Sequence, residues 1–415
     1  MSTFCLHSTP SAPASPPTSG WPSLLLDPDG PYGAIARKVD ALLECSANMT
    51  DETLLCRARE HLLLLDLDQY ASYNRPDCFD EIIRARLSVP SKFSVKRLFD
   101  TMLRITDELQ MSSAKRYVSA AICACASDDV SGDEVPPGVR SHAQVARLSY
   151  LAVVWIAYSL WPFVANTGTR MPERETVHDV DWITTQVMLR DNFTCCLSGL
   201  IDFEVTVDAR RKGCDALRTG LTPVHIFEAV DESLKTKTES LALTAELFQR
   251  IYECPPIITD EIQVNVPQNS YLAQPLAHYA LSSFHTCLRP TEVPNRYCHI
   301  VYEAVSTLEG ETFIDFKDHT QHELATRFWP SEFSQWAQDA QPDRSIRGVP
   351  LPDATLLRGR AAMTMILHES GIIHEFDSLR YEEEEEVPQA DGDSLMLHLQ
   401  KLGYNGSWSV DPRTL

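Results

Sequence analysis

The chain has 415 residues, of which 44% are hydrophobic, and a formal net charge of −22 at pH 7. A chain of this length and composition can bury a substantial core in two or three lobes, which excludes a wholly disordered protein. The apolar run at residues 150–165 is shorter than the about 20 residues that cross a bilayer, so it predicts a buried helix and no membrane partner.

The first 30 residues are rich in serine, threonine and proline. They lack the basic and apolar segments of a signal peptide, so we predict a disordered tail over residues 1–30. The 12 cysteines include no pair of Cys-x-x-Cys motifs and are expected to be reduced thiols. These features predict an intracellular protein, nuclear or cytoplasmic.

Residues 31–179 carry apolar positions at helical spacing and predict a mainly helical N-terminal lobe. Asn48 to Asp51 supplies a break and a new helix cap, which indicates a helical pair on either side. The loop Asp128 to Gly138 is rich in proline, glycine and acids, and it separates these helices from one predicted at Ala143 to Phe163.

Three polar residues stand out between residues 180 and 300. His225 lies in a short apolar run that predicts a strand, where alternation turns its imidazole away from the face of Val224 and Ile226. Asn269 follows a proline in a predicted turn, where its amide can bond loop backbone. His278 lies in the segment 271–284, which predicts a helix with Pro275 near its start. A strand histidine suits a general base, and a helix histidine suits a metal ligand.

This stretch resembles the HNH nuclease domain, in the version found in fungal proteins of about this length. The signature Arg-Asp-x-x-x-Cys-x-x-(Thr/Ser)-Gly, a following His-Ile pair, and the Asn and helix-borne His of that family have matches in this sequence. The matching residues are Arg190, Asp191, Cys195, Ser198, Gly199, His225, Ile226, Asn269 and His278.

The resemblance implies a ββα-metal module at residues 180–300 that binds one divalent ion (Mg, Mn, Ni or Zn) and cleaves DNA. It implies His225 and Asn269 as the catalytic pair and His278 as a metal ligand. Val224 stands where many such enzymes place a second ligand. Asp202, Glu204 and Asp208 are the candidates for a missing carboxylate, and spacing does not choose among them.

Nucleic-acid affinity depends on cations that neutralise phosphates. Residues 182–300 hold 10 basic and 14 acidic residues, so most of the −22 charge lies in the flanks. A basic cluster precedes the His225 strand and predicts weak substrate contacts, with a solvated loop as the alternative reading. Its members are Arg210, Arg211, Lys212 and Arg218.

His225 and Asn269 are separated by an insertion, within which Thr238 to Glu253 predicts an amphipathic helix that packs against the module. Residues 301–415 predict a mixed C-terminal region with a helix near 353–370, capped by Asp353 and ended by Gly371. Five consecutive glutamates within residues 381–387 predict an acidic, mobile end. The expected fold class is therefore α+β.

Two functions remain open from the sequence. The first is a metal-dependent endonuclease of the HNH type that hydrolyses phosphodiester bonds in DNA. The second is a catalytically weak or inactive HNH-fold protein that binds protein partners through its acidic helical flanks.

Overall fold

The structure is a computed structural model in which the described residues are mainly helical and form three small sheets, and the α+β prediction is confirmed. It describes residues 30–44, 49–76, 79, 92–126, 137–165, 182–203, 218–228, 238–259, 264–302, 312–319, 348–380 and 392–401. The predicted tail before residue 30, the acidic run at 381–387 and the loop residues 127–136 lie outside this description.

The N-terminal lobe is helical over its described residues, as the periodicity predicts. Two of its helices begin at hydroxyl caps, because Thr50 accepts from the amide of Thr53 and Ser94 accepts from that of Arg97, each over 3.2 Å. The helices are α1 (Pro31–Glu44), α2 (Asp51–Leu62), α3 (Ala71–Asn74), α4 (Val95–Glu108) and α5 (Ser112–Ala126), with 3-10 turns at Leu63–Asp66 and Asp68–Tyr70.

The predicted buried helix is the central element of the core. It runs as α6 (Pro137–Trp155), a π-helical turn (Ile156–Leu160) and α7 (Trp161–Val164). The π turn precedes Pro162, whose ring crowds the carbonyl four residues earlier and which has no N–H to donate. Residues 140–164 are long and apolar enough to cross a membrane, but their most apolar 18-residue stretch is wholly buried inside this chain.

The helix α6 begins six residues earlier than the sequence predicts. Its first residue is Pro137, a residue type suited to that position because its missing N–H has no partner in a first helical turn. The prediction of a loop extending to Gly138 is therefore wrong at its end.

The described strands form two pairs and one three-stranded sheet. β1 (Ile201–Asp202) pairs in parallel with β2 (Arg218–Thr219), and β3 (Thr222–His225) pairs antiparallel with β4 (Ser270–Ala273). The helix α8 (Trp182–Arg190) precedes β1. The third sheet is antiparallel and consists of β5 (Thr286–Pro290), β6 (Arg296–Val301) and β7 (Thr312–Asp315).

The inserted helix α9 (Thr238–Tyr252) packs into the core. Leu243, Leu247 and Ile251 are buried on one face. The helix contacts α5, the π turn and the C-terminal helix described next, and Phe248 packs against Phe227 with ring centroids 4.7 Å apart. It therefore packs as an amphipathic helix, but mainly against the flanking helices and not against the module as predicted.

The described part of the C-terminal region contains three helices, of which the first packs against β5. α11 (Ala354–Ser370) begins at Asp353, whose carboxylate accepts from the amides of Thr355 and Leu356 over 2.7 and 3.1 Å. Gly371 ends it with a φ of +86°, so both predicted helix ends are confirmed. Two further helices, α12 (Ile372–Arg380) and α13 (Gly392–Lys401), follow.

Candidate functional site

The strands β3 and β4 and the helix α10 (Pro275–Ser282) form a compact ββα unit. His225 ends β3 opposite Ser270, and Val224 lies opposite Tyr271. Val224 and Ile226 are each 1% exposed, whereas His225 is half-buried. The predicted alternation is therefore confirmed, and the imidazole of His225 lies on the more open face of the strand.

The helix that carries His278 is shorter than predicted. Residues 270–273 form the buried strand β4, so the expectation of a helix from residue 271 is wrong. Pro275 explains the boundary, because a residue before proline favours extended backbone, and Gln274 has φ −74° and ψ 158°. The pairing of β4 with β3 brings the helix start next to the His225 strand.

Asn269 bonds loop backbone, as its sequence context predicts. It is fully buried, and its Oδ1 accepts from the amide of Phe227 over 3.1 Å. Its Nδ2 donates to the carbonyls of Phe227 and Val264 over 2.7 and 2.9 Å. The amide of Ile226 also donates to the Asn269 carbonyl over 2.7 Å. Asn269 thus ties the segment that follows His225 to the start of β4.

His278 is oriented by a neighbour on β3. Its Nδ1 lies 3.1 Å from Oγ1 of Thr222. Within the described residues its Nε2 makes no hydrogen bond. Burial lowers the pKa of His278, Glu228 opposes that change, and the charge of His225 adds to it. A neutral imidazole with one nitrogen held by a hydroxyl and the other available fits a metal ligand.

Glu228 is a residue that the sequence analysis missed. It is an exposed carboxylate three residues after His225, and its charge acts on His278. Glu228 directly follows Phe227, and Asn269 bonds the backbone of Phe227. The backbone of Glu228 is therefore held near the unit. The signal available in the sequence was an acidic residue closing the apolar run of β3.

The predicted sources of a second ligand do not serve this site in the described structure. Asp202 is buried, and its Oδ2 accepts from the amide of Leu221 over 2.7 Å, which gives it a structural role. Glu204 and Asp208 lie outside the described residues. Over the described ranges no group of three or more His, Cys, Asp or Glu side chains is arranged to hold a metal ion. Among the described residues, Glu228 is the carboxylate whose charge acts on His278, the predicted metal ligand.

Arg190 and Asp191 form a buried clamp behind the unit. The Arg190 Nε and Nη2 donate to the two carboxylate oxygens of Asp191 over 2.7 and 3.0 Å. The remaining guanidinium N–H groups donate to the carbonyls of Pro267, Ser270 and Pro350 over 2.7, 2.7 and 2.9 Å. All five donors of the side chain are satisfied.

Asp191 also connects this clamp to the strand β4. Its Oδ2 also accepts from the amide of Leu272 over 2.8 Å. The ion pair therefore holds α8 against β4 and links both to the segment before α11.

Cys195 and Cys196 anchor a tight loop to β4. The Cys195 Sγ accepts from the amides of Ser198 and Gln274, each over 3.4 Å, and the amide of Cys196 donates to Leu272 over 3.0 Å. Gly199 completes the loop with a φ of +68°. Burial raises the pKa of the Cys196 thiol well above its usual value. Cys195 is therefore a core residue, and the half-buried Cys196 packs against the same core.

The basic cluster stays a prediction. Arg218 begins β2 opposite Ile201, and its side chain lies outside the description. Arg210, Arg211 and Lys212 also lie outside the described residues. Comparison of the chain with protein-family models, with curated proteins and with solved structures found no match.

Proposed function

We propose that this chain is a metal-dependent endonuclease of the HNH type that hydrolyses phosphodiester bonds in DNA. The observation that carries the proposal is the ββα unit itself. It places His225 at a strand end and a neutral His278 on the adjoining helix, where the charge of His225 lowers the pKa of His278 further. Asn269 braces the backbone directly after His225.

The side chains divide the work of hydrolysis in this proposal. His225 takes the proton from the attacking water as a general base. Asn269 holds the segment that aims His225. His278 and Glu228 would hold one divalent ion, Mg, Mn, Ni or Zn, which when bound stabilises charge on the phosphate and the leaving oxygen. Thr222 keeps the His278 ring turned so that Nε2 is available.

The substrate class rests on charge as well as on the site. Phosphate contacts would come from the basic cluster that precedes β3, namely Arg210, Arg211, Lys212 and Arg218. The acidic flanks repel nucleic acid at long range, which favours local, salt-sensitive binding near the unit.

A second candidate is a binding module that keeps this unit without catalysis. Two observations favour this candidate. The net charge is −22, and the described residues offer an ion a single histidine and a single carboxylate. Protein partners would then contact the acidic helical flanks.

A plasmid-nicking assay separates the two candidates. The intact protein is assayed with Mg²⁺, Mn²⁺, Ni²⁺ and Zn²⁺, beside His225→Ala and the control His374→Ala, which removes an exposed histidine of α12. Nicking that needs metal, fails in His225→Ala and survives in His374→Ala supports the nuclease. No nicking by the folded protein with any of the four ions rejects it.

A further inference from the structure

Arg360 reaches the candidate site from α11, a helix outside the ββα unit. Its Nη2 donates to the carbonyls of Leu281 and Ser282 over 2.6 and 3.0 Å. These carbonyls lie at the C-terminal end of α10, the helix that carries His278. A cation at this end satisfies carbonyls that have no helical partner and interacts favourably with the helix dipole.

The same guanidinium stacks on two aromatic rings. Its central carbon lies 3.5 Å from the ring centroid of Phe284 and 5.8 Å from that of Phe227. Phe227 is the residue whose backbone is bonded on both sides by Asn269. Arg360 therefore contacts both the C-terminal end of the His278 helix and the segment that follows His225 in the chain.

The charge of Arg360 persists in this position. Burial lowers its pKa to about 10, which still leaves the group charged at neutral pH, and Tyr271 and Glu228 act in the opposite direction. Glu228 thus interacts electrostatically with both Arg360 and His278.

We propose that Arg360 is a positioning residue for metal binding, which holds the last turn of α10 against Phe227 so that His278 and Glu228 serve the same ion. This inference rests on the proposed function for the identity of the two ligands. The guanidinium is suited to the task because its planar fork bonds two carbonyls while its faces stack on rings. A lysine keeps the charge but loses the stacked, two-carbonyl geometry.

The test compares Arg360→Met and Arg360→Lys with Arg358→Met in the full chain. Arg358 lies two residues earlier on α11 and pairs with Glu253 over 3.3 Å, so it is the matched control. Mn²⁺ binding is measured by calorimetry, and nicking is measured against Mn²⁺ concentration. Thermal melting of each variant is recorded beside them.

Arg360→Met is expected to weaken Mn²⁺ binding about tenfold or more, the scale on which groups that orient a ligand affect a metal. Its nicking rate should recover at saturating Mn²⁺. Arg360→Lys should fall between Arg360→Met and the wild type, and Arg358→Met should bind like the wild type. If Arg360→Met does not fold, weakened Mn²⁺ binding by folded Arg360→Lys carries the test.

A folded Arg360→Met that melts earlier but binds Mn²⁺ like the wild type would overturn the inference and leave Arg360 a packing residue. A wild type that binds no Mn²⁺ would overturn it too. If the wild type binds Mn²⁺ without nicking, and Arg360→Met binds it more weakly, the inference stands while the proposed nuclease activity fails.

Discussion

The side-chain amide of Asn269 brackets the backbone of Phe227, accepting from its N–H over 3.1 Å and donating to its carbonyl over 2.7 Å. The two residues are 42 positions apart in the chain. One buried amide therefore joins the end of the His225 strand to the start of β4, with the whole α9 insertion between them.

Replacing Asn269 by alanine is expected to lower the free energy of unfolding by about 1–3 kcal/mol, because it leaves buried backbone groups without partners. Nicking should fall as well, since the segment after His225 loses its brace. Urea denaturation and nicking rates measure both effects. Gln268→Ala is the control, because this neighbouring amide side chain makes no hydrogen bond among the described residues. If Asn269→Ala and Gln268→Ala had equal effects, the hydrogen bonds of Asn269 would not stabilise the segment after His225.

Replacing Arg190 by methionine should cost about 3–5 kcal/mol of stability, because it leaves the buried carboxylate of Asp191 without its cation. Arg296→Met is the contrast. Arg296 pairs with Asp315 at similar distance on the exposed surface, where solvent screens the charges, so its loss should lower the stability far less. Urea denaturation of both variants checks the difference. Similar costs would mean that the Arg190 clamp contributes no more than a surface pair.

If nicking is found, alanine substitutions of His225 and His278 are expected to lower it for different reasons. His225→Ala should lower the turnover rate by about 10²-fold to 10⁴-fold with little change in metal affinity, since a general base contributes on that scale. His278→Ala should weaken the metal, and high metal concentration should restore part of the activity by mass action. Calorimetric metal titrations beside nicking rates test this, and equal loss of metal binding in both variants would reject the separation of roles.

His278 should titrate below the ordinary histidine range, because burial lowers its pKa. Glu228→Gln should lower that pKa further, since it removes an anion that raises it, and His225→Gln should raise it. The folded-state pKa lies below the unfolded value, so the stability that depends on neutral His278 is lost as pH falls from the unfolded pKa through the folded one. NMR titration of the imidazole measures each midpoint. A shift upward in Glu228→Gln would contradict the electrostatics of the site.

A fragment of residues 180–300 is expected to aggregate or to melt without cooperativity. It would lose the Pro350 carbonyl from the Arg190 clamp and the Arg360 contacts of α10. It would also expose Phe227 and Phe248, whose rings pack against Phe163. Sedimentation and thermal denaturation test this. A fragment that is soluble, monomeric and as cooperative as the whole chain would establish an autonomous domain.

The sequence by itself determined the features that depend on a few neighbouring residues. Alternation predicts the face of His225, and helical spacing predicts the buried stripe of α9. The cap at Asp353 and the left-handed Gly371 follow from side-chain reach and backbone freedom. The turn chemistry around Asn269 predicts an amide bonded to backbone, and the structure confirms it.

Only the tertiary structure decided which distant segments meet. Residues 271–273 have helical neighbours, but pairing with β3 makes them a strand, since long-range hydrogen bonds outweigh a weak local preference. The effect of the Glu228 charge on His278 and the hydrogen bonds of Arg360 to the end of α10 and of Arg190 to Pro350 join residues 50 to 160 positions apart. Periodicity and capping carry no signal over such separations, because burial and charge complementarity are set when the folded core brings those segments together.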